Sequence, residues 1–194
     1  VLVRPSSDAS EVEALGARVV RGDALNPADL TAALNAVPAG GQFRAIVSTL
    51  GARSLDGPRP DFEGNRNAVD AARLAGVQRF VLVTVIGAGD SRDAAPAIAR
   101  YVLRNVIPEK AKAEDYLKTS GLDYTIIRPG GLLDKDPQGR AYLTEDTGAM
   151  SWIRRADLAA LTVQALDDPR AIGKVRPSKR PPSLHSPEMI EIVA

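Results

Sequence analysis

The sequence contains no cysteine and a single histidine, His185, among its 194 residues. Disulfides, zinc–thiolate sites and cysteine nucleophiles are therefore excluded within it, and one histidine cannot form a histidine-based metal site by itself. No apolar run approaches the roughly 18 residues that a membrane-spanning helix needs, and no secretory signal is visible. We therefore predict a site without a metal and a chain without a membrane span.

The sequence also lacks an excess of positive or negative charge. It contains 25 Lys and Arg residues and 24 Asp and Glu residues, for a net charge of +1. This balance gives no electrostatic reason to expect nucleic acid or an anionic membrane as a partner.

The length fits one domain that can bury a sizeable core. We expect a single cytoplasmic domain over residues 1–194, as a monomer or homodimer.

The sequence opens in an apolar run, Val-Leu-Val, without a methionine. A domain rarely begins in this way, so we expect natural residues upstream of Val1. A targeting segment among them would direct the protein to an organelle.

Apolar runs alternate with segments of helical periodicity along the chain. Strands are predicted at residues 1–3, 18–21, 45–49, 80–85 and 124–127, and helices at residues 10–15, 26–36, 62–75, 97–106, 109–119 and 158–166. We expect Asp157 to cap the last helix, Trp152 to lie in the core, and residues 175–194 to be irregular apart from a short strand near residues 190–193. This alternation predicts an α/β domain with a doubly wound parallel sheet of the Rossmann type.

In such open sheets, ligands bind outside the carboxyl ends of the strands. Five segments follow predicted strands, and three of them carry glycine, which permits a close backbone approach. The candidate cofactor-binding residues in these segments are Arg4, Ser6, Ser7, Asp23, Ala24, Ser48, Thr49, Leu50, Gly51, Thr84, Val85, Pro129, Gly130, Gly131 and Leu132.

Arg4 predicts which dinucleotide is bound. It follows the first strand, where an acidic residue would bind the ribose 2′-hydroxyl of NAD and an arginine would bind the 2′-phosphate of NADP. A guanidinium suits phosphate because its donors are planar and paired, and the hydroxyls of Ser6 and Ser7 would add donors. We therefore predict NADP(H) as the cofactor.

Four motifs resemble one family. They are RFVLVTVIGAG at residues 79–89, EKAKAE at 109–114, SGLDYTIIRPGGL at 120–132 and IRRADLA at 153–159. Together they resemble atypical short-chain dehydrogenase/reductases of the NmrA-like, NAD(P)-binding kind, over residues 1–174. The family opens with a strand and a G-x-x-G-x-x-G turn, which nothing here matches. The resemblance thus implies a Rossmann-type sheet that lacks its first strand and helix in this sequence.

The resemblance also implies roles at three positions. Short-chain reductases use a Tyr-x-x-x-Lys pair, and Lys110 stands at the lysine position, so it is a catalytic candidate and a ligand of the nicotinamide ribose. Val106 stands at the tyrosine position and Val85 at that of a serine late in the fifth family strand. Residues 129–132 resemble the family loop near the nicotinamide amide.

Three functions remain open. The first is an NADP(H)-dependent reductase that passes hydride to a small acceptor, with a quinone- or flavin-like acceptor favoured because solvent can protonate the product. The second is a non-catalytic NADP(H)-binding redox sensor or assembly factor with a regulatory protein partner, which the missing tyrosine and serine favour. A sugar-nucleotide epimerase comes last, since it depends on that tyrosine.

Overall fold

A computed structural model describes residues 1–36, 41–52, 59–179 and 190–191. Strands and helices alternate through most of this range, as predicted. The strands are β1 Leu2–Val3, β2 Val20–Arg21, β3 Ala45–Ser48, β4 Arg79–Val83, β5 Asp123–Pro129, β6 Gly131–Leu133, β7 Tyr142–Leu143, β8 Trp152–Arg154, β9 Lys174–Lys179 and β10 Ile190–Glu191. The helices are α1 Ser10–Ala14, α2 Pro27–Asn35, α3 Glu63–Leu74, α4 Ala97–Val102, α5 Ile107–Lys118 and α6 Arg155–Asp167.

Six strands form the central sheet in the order β10-β7-β9-β5-β4-β3. Strands β3, β4, β5 and β9 are parallel, whereas β7 runs antiparallel to β9 and β10 antiparallel to β7. Two further parallel pairs, β1 with β2 and β6 with β8, stand apart from it. The predicted α/β class with a mainly parallel sheet is confirmed, while the expected absence of a first strand and helix stays a prediction.

Both faces of the sheet are covered, and β4 shows how. Phe80 and Leu82 point into a cluster with α3 and α5, while Val81 between them points into a second cluster with α6. Successive side chains of a strand alternate between the two faces. A strand covered on both faces therefore has a continuous apolar sequence, which is why the sequence predicts β4 well.

The carboxyl-terminal region differs from its prediction. Residues 174–179 form β9, an inner strand between β5 and β7, although irregular structure was expected from residue 175. Pro177 has no N–H to donate, but its carbonyl accepts a hydrogen bond from the N–H of Thr144 at 3.0 Å. Strand β10 agrees with the short strand expected near residues 190–193, and His185 lies outside the described residues.

Two further predictions are wrong. Asp157 does not cap α6, which begins at Arg155; instead its buried carboxylate accepts hydrogen bonds from the backbone N–H groups of Gln138 and Gly139, each at 3.1 Å. Trp152 is not in the core, because 58% of it is exposed. Both residues interact with segments that are distant in sequence, so local patterns could not place them.

Candidate active site

The carboxyl ends of β3, β4 and β5 lie at one edge of the sheet because the three strands are parallel. The predicted segments after these strands therefore come together there. Helix α5 starts at the same edge, after the residues that follow β4. This placement brings Lys110, in the first turn of α5, to the exit of β3.

Lys110 is held in place by a carbonyl and a carboxylate. Its Nζ donates a hydrogen bond to the carbonyl oxygen of Leu50 at 2.7 Å and lies 3.6 Å from Oδ1 of Asp61. Burial lowers the pKa of the Lys110 amine, and the Asp61 carboxylate opposes that shift. The result is a nearly buried cation fixed beside the loop that follows β3.

Asp61 is a site residue that the sequence analysis did not identify. Its Oδ2 accepts a hydrogen bond from the N–H of Ala52 at 3.2 Å and lies 3.1 Å from the guanidinium of Arg59. Asp61 Oδ1 is buried and accepts no hydrogen bond from any residue that the structure describes. Asp61 therefore binds the loop with one oxygen and faces Lys110 with the other.

Gly51 lies against this pair. A Cβ there would stand 3.3 Å from Asp61 Oδ1, which is tighter than most contacts of a Cβ, and 3.4 Å from Lys110 Nζ, at the edge of ordinary van der Waals contact. Its missing side chain therefore leaves room for the Lys110–Asp61 pair. Thr49 and Leu50 complete the loop, with Thr49 exposed and Leu50 half-buried.

Two predicted cofactor ligands direct their hydroxyls into the protein. The Oγ of Ser48 donates to the side-chain oxygen of Asn65 at 2.5 Å, and the Oγ1 of Thr84 donates to Oε1 of Glu114 at 2.7 Å. These bonds join β3 to α3 and the end of β4 to α5. Val85, the next residue, is half-buried. Cofactor contacts by these residues stay predictions.

Glu114 belongs to a buried cluster that supports this edge. Its carboxylate accepts three hydrogen bonds from the Arg128 guanidinium at 2.6–3.2 Å, and both side chains are fully buried. Arg128 also bonds Asp90, in the 3₁₀ helix Gly89–Ala94 that follows β4. Gly89 has φ +53°, and a Cβ there would lie 2.7 Å from Arg128. The cluster ties the segment after β4 to β5 and α5.

The glycines after β5 serve packing within the chain. A Cβ at Gly130 would stand 2.1 Å from the Ser151 carbonyl oxygen, and one at Gly131 would stand 2.2 Å from the Trp152 ring. A loop was expected over residues 129–132, but Pro129 ends β5, and Gly131 and Leu132 belong to β6. The predicted cofactor contacts of residues 129–132 stay predictions. The pairing of β6 with β8 requires both glycines.

The segment after β1 carries the donors expected for a phosphate. Arg4 and Ser6 are exposed, and Arg4 makes no ion pair with a described residue. Arg21 donates to the Ser7 and Arg4 carbonyl oxygens at 2.6 and 3.3 Å. The Arg21 guanidinium thus holds the backbone of this segment, while the side chains of Arg4 and Ser6 stay exposed. The predicted contacts of Arg4, Ser6 and Ser7 with the 2′-phosphate of NADP stay predictions.

The segment after β2 is organised by its own turn. Oδ1 of Asp23 accepts a hydrogen bond from the N–H of Leu25 at 2.9 Å, and the carbonyl of buried Ala24 accepts one from Asn67 at 3.0 Å. Their predicted cofactor contacts stay predictions.

The Asp90–Arg128 bond predicts an acid-sensitive part of the stability. The hydrogen bond from Arg128 holds the pKa of Asp90 below its ordinary value of 3.8. A carboxyl whose pKa is lowered in the folded state stabilises it above the ordinary pKa, and this contribution is lost as pH falls through the lowered value. We expect Asp90→Asn to lower the urea midpoint at pH 7, and the difference from wild type to shrink below pH 3.8.

The matched control is Asp93→Asn, on the same 3₁₀ helix, whose side chain is fully exposed. It should change the midpoint little at any pH. An Asp90→Asn deficit that stays constant down to the acid limit of folding would contradict the assignment.

None of the helices in the described part of the chain has the length and apolar character that crossing a membrane requires. The sequence profile of the NAD(P)H-binding family matches residues 1–169. The NAD(P)H azoreductase of Xenophilus azovorans is 30% identical over 197 residues, which cover 97% of this chain and 61% of the azoreductase. The chloroplastic protein TIC 62 of Pisum sativum is 33% identical over 66% of this chain, but this chain spans only 26% of it.

A solved structure is similar over nearly the whole chain. The anaerobillin reductase ChuY of Escherichia coli O157:H7 superposes with a TM-score of 0.80 at 32% identity, covering 95% of this chain and 85% of ChuY. Fold and profile agree, and the predicted resemblance to atypical short-chain reductases is confirmed. This chain belongs to the NAD(P)H-binding family of Rossmann-fold proteins.

Proposed function

We propose that this protein binds NADPH and passes its hydride to a small acceptor that solvent can protonate, with a quinone- or flavin-like acceptor favoured. The observation that carries the proposal is Lys110, which the Leu50 carbonyl holds at the carboxyl edge of the sheet, with Val106 four residues before it. The site thus has the cation of a short-chain reductase without its proton donor. The names of the azoreductase and of ChuY support a reductase.

Three parts of the chain would hold the cofactor. Arg4 would bind the 2′-phosphate, the loop after β3 would lie against a ribose, and Lys110 would donate a hydrogen bond to a ribose hydroxyl. NADPH supplies the hydride, while the protein supplies orientation and electrostatics. Val85 and Val106 have no proton to give, so the proton that balances the hydride comes from water.

A non-catalytic role is the second candidate. The similarity to TIC 62 supports it, as do the valines at positions 85 and 106. In that case the protein would bind NADPH as a redox sensor or assembly factor, and the exposed carboxyl edge would serve a protein partner. The epimerase ranks last because Val106 cannot replace a tyrosine. A cytoplasmic or organellar location and a monomeric or dimeric state stay predictions.

Arg4→Ala tests the cofactor preference. A charge-assisted phosphate contact contributes about 1.5–3 kcal/mol, so we expect wild type to bind NADPH roughly ten- to hundredfold more tightly than NADH. The substitution should remove most of this difference without changing NADH affinity. Calorimetric titration of both cofactors measures it, with Arg18→Ala, an exposed arginine before β2, as the control. Equal wild-type affinities for the two cofactors would disprove the preference.

The acceptor screen separates the enzyme from the sensor. General acid catalysis by a positioned side chain contributes about 10² to 10⁴ in rate, so we expect NADPH oxidation with quinones or flavins and negligible turnover of simple aldehydes and ketones. Val106→Tyr should raise ketone turnover. NADPH absorbance at 340 nm is the readout.

Brisk ketone reduction by the wild type would refute this proposal and indicate an unrecognised acid, with the exposed Tyr101 the first to test. Tight NADPH binding without any acceptor would favour the sensor or assembly factor.

A further inference from the structure

Trp152 is an exposed tryptophan held against the backbone of its neighbouring strand. It pairs with Gly131 in the β6–β8 register. A Cβ on Gly131 would lie 2.2 Å from Cε3 of the ring, so the ring occupies the space that such a Cβ would need. The backbone of β6 therefore supports one side of the ring, yet 58% of the residue remains exposed. An indole held in this way presents a flat apolar surface at little cost in side-chain entropy.

Two arginines share a cavity with this ring. Leu133, Gln138, Arg140, Trp152, Ile153, Arg154 and Asp157 line it. Along β8, the side chains of Trp152 and Arg154 lie on the same face, because side chains alternate in a strand. Neither Arg140 nor Arg154 forms an ion pair with any residue in the described ranges.

Asp157 is the one acidic residue of the cavity, and its oxygens are engaged. Its carboxylate accepts hydrogen bonds from the N–H groups of Gln138 and Gly139 at 3.1–3.2 Å, which fixes the segment that leads to Arg140. The neighbouring Arg155 differs, since its Nε contacts Oδ1 of Asp134 at 2.6 Å. The cavity therefore combines an aromatic face with two guanidiniums and one carboxylate, for a net charge of +1.

The cavity also adjoins the carboxyl edge of the sheet. Strand β6 follows β5 after Gly130 alone, and Gly130 packs against the Ser151 carbonyl just before Trp152. A molecule lying on Trp152 is thus next to the end of β5, one of the strands whose carboxyl ends form the candidate site. We infer that the exposed face of Trp152, together with the arginines of this small, open cavity, binds the hydride acceptor and selects planar aromatic molecules that carry an anionic group.

The chemistry follows from the residues. The fused rings stack on the indole, and the anionic group receives charge-assisted hydrogen bonds from Arg140 and Arg154, whose guanidiniums match carboxylate or sulfonate geometry. A neutral quinone of the same shape gains only the stacking. Only the identification of the occupant as the hydride acceptor rests on the proposed function.

Trp152 provides the readout, since it is the single tryptophan of the sequence. The probe is anthraquinone-2-sulfonate, and its neutral match is 2-(hydroxymethyl)anthraquinone. We expect the sulfonate to quench Trp152 fluorescence saturably and to bind about tenfold more tightly than the neutral compound, with the difference shrinking at high salt. These titrations contain no NADPH.

The variants assign the contacts. Arg140→Gln/Arg154→Gln should weaken sulfonate binding about tenfold or more and leave neutral binding unchanged, whereas the control Arg155→Gln should stay within about twofold of wild type. Trp152→Ala, followed by equilibrium dialysis because its signal is lost, should weaken both compounds about fivefold. Equal binding of the two compounds, or full affinity in the double arginine variant, would show adventitious stacking and overturn the inference.

The two proposals fail separately. Sulfonate binding that depends on the arginines, without any hydride transfer, would refute the reductase and keep the anion-selective cavity. Transfer to neutral and anionic quinones with equal efficiency would keep the reductase and refute the cavity.

Discussion

The buried ion pair between Glu114 and Arg128 sets the position of helix α5 against the carboxyl ends of β4 and β5. Lys110 lies one turn before Glu114 on the same helix, so the pair also determines where the Lys110 ammonium meets the loop after β3. Removing one partner of such a pair typically costs about 3–5 kcal/mol, because the other charge is left buried without compensation. Thr84 and Asp90 extend the network, so the segment after β4 is fixed by the same side chains.

The site built on this support holds the Lys110 cation, with Val106 at the position of the tyrosine of the family pair. Lys110 is fixed by Leu50 and Asp61, and Gly51 leaves room for them. Arg4 is separate from this group and follows β1 directly. In the proposed reaction, such a site would orient the dinucleotide and leave protonation of the acceptor to water, which is why the proposed acceptors need hydride alone.

Sequence patterns predicted the strands and helices that depend on the periodicity of neighbouring residues. Strand β4 reads as a buried run because both its faces are covered, and the helix with Lys110 begins within two residues of its predicted start. Asp157 and Trp152 were misplaced because Asp157 contacts Gln138 and Gly139, and Trp152 contacts Gly131, which lie 18 to 21 residues away. Pairing of a polar residue with a distant backbone leaves no periodic trace, and periodicity is the main signal in a single sequence.

The candidate site, too, could be predicted from the sequence only in part. The segments that carry it follow from the rule that ligands bind at carboxyl ends of parallel strands, whereas Asp61 and Arg128 have no local signal. Gly130 and Gly131 were predicted as cofactor ligands, which stays a prediction, and the structure adds that Ser151 and Trp152 pack against them. A glycine in a sequence indicates either a close contact or a positive φ, and only the structure shows which of the two applies.

The most direct test is the affinity of Lys110→Met for NADPH, compared with Lys112→Met, an exposed lysine on the same helix paired with Glu109. Both are titrated by calorimetry below their melting temperatures. The account predicts a tenfold or greater loss of NADPH affinity for Lys110→Met, since a charge-assisted contact contributes about 1.5–3 kcal/mol, and none for Lys112→Met. Unchanged NADPH affinity in a folded Lys110→Met protein would contradict the claim that this cation holds the cofactor.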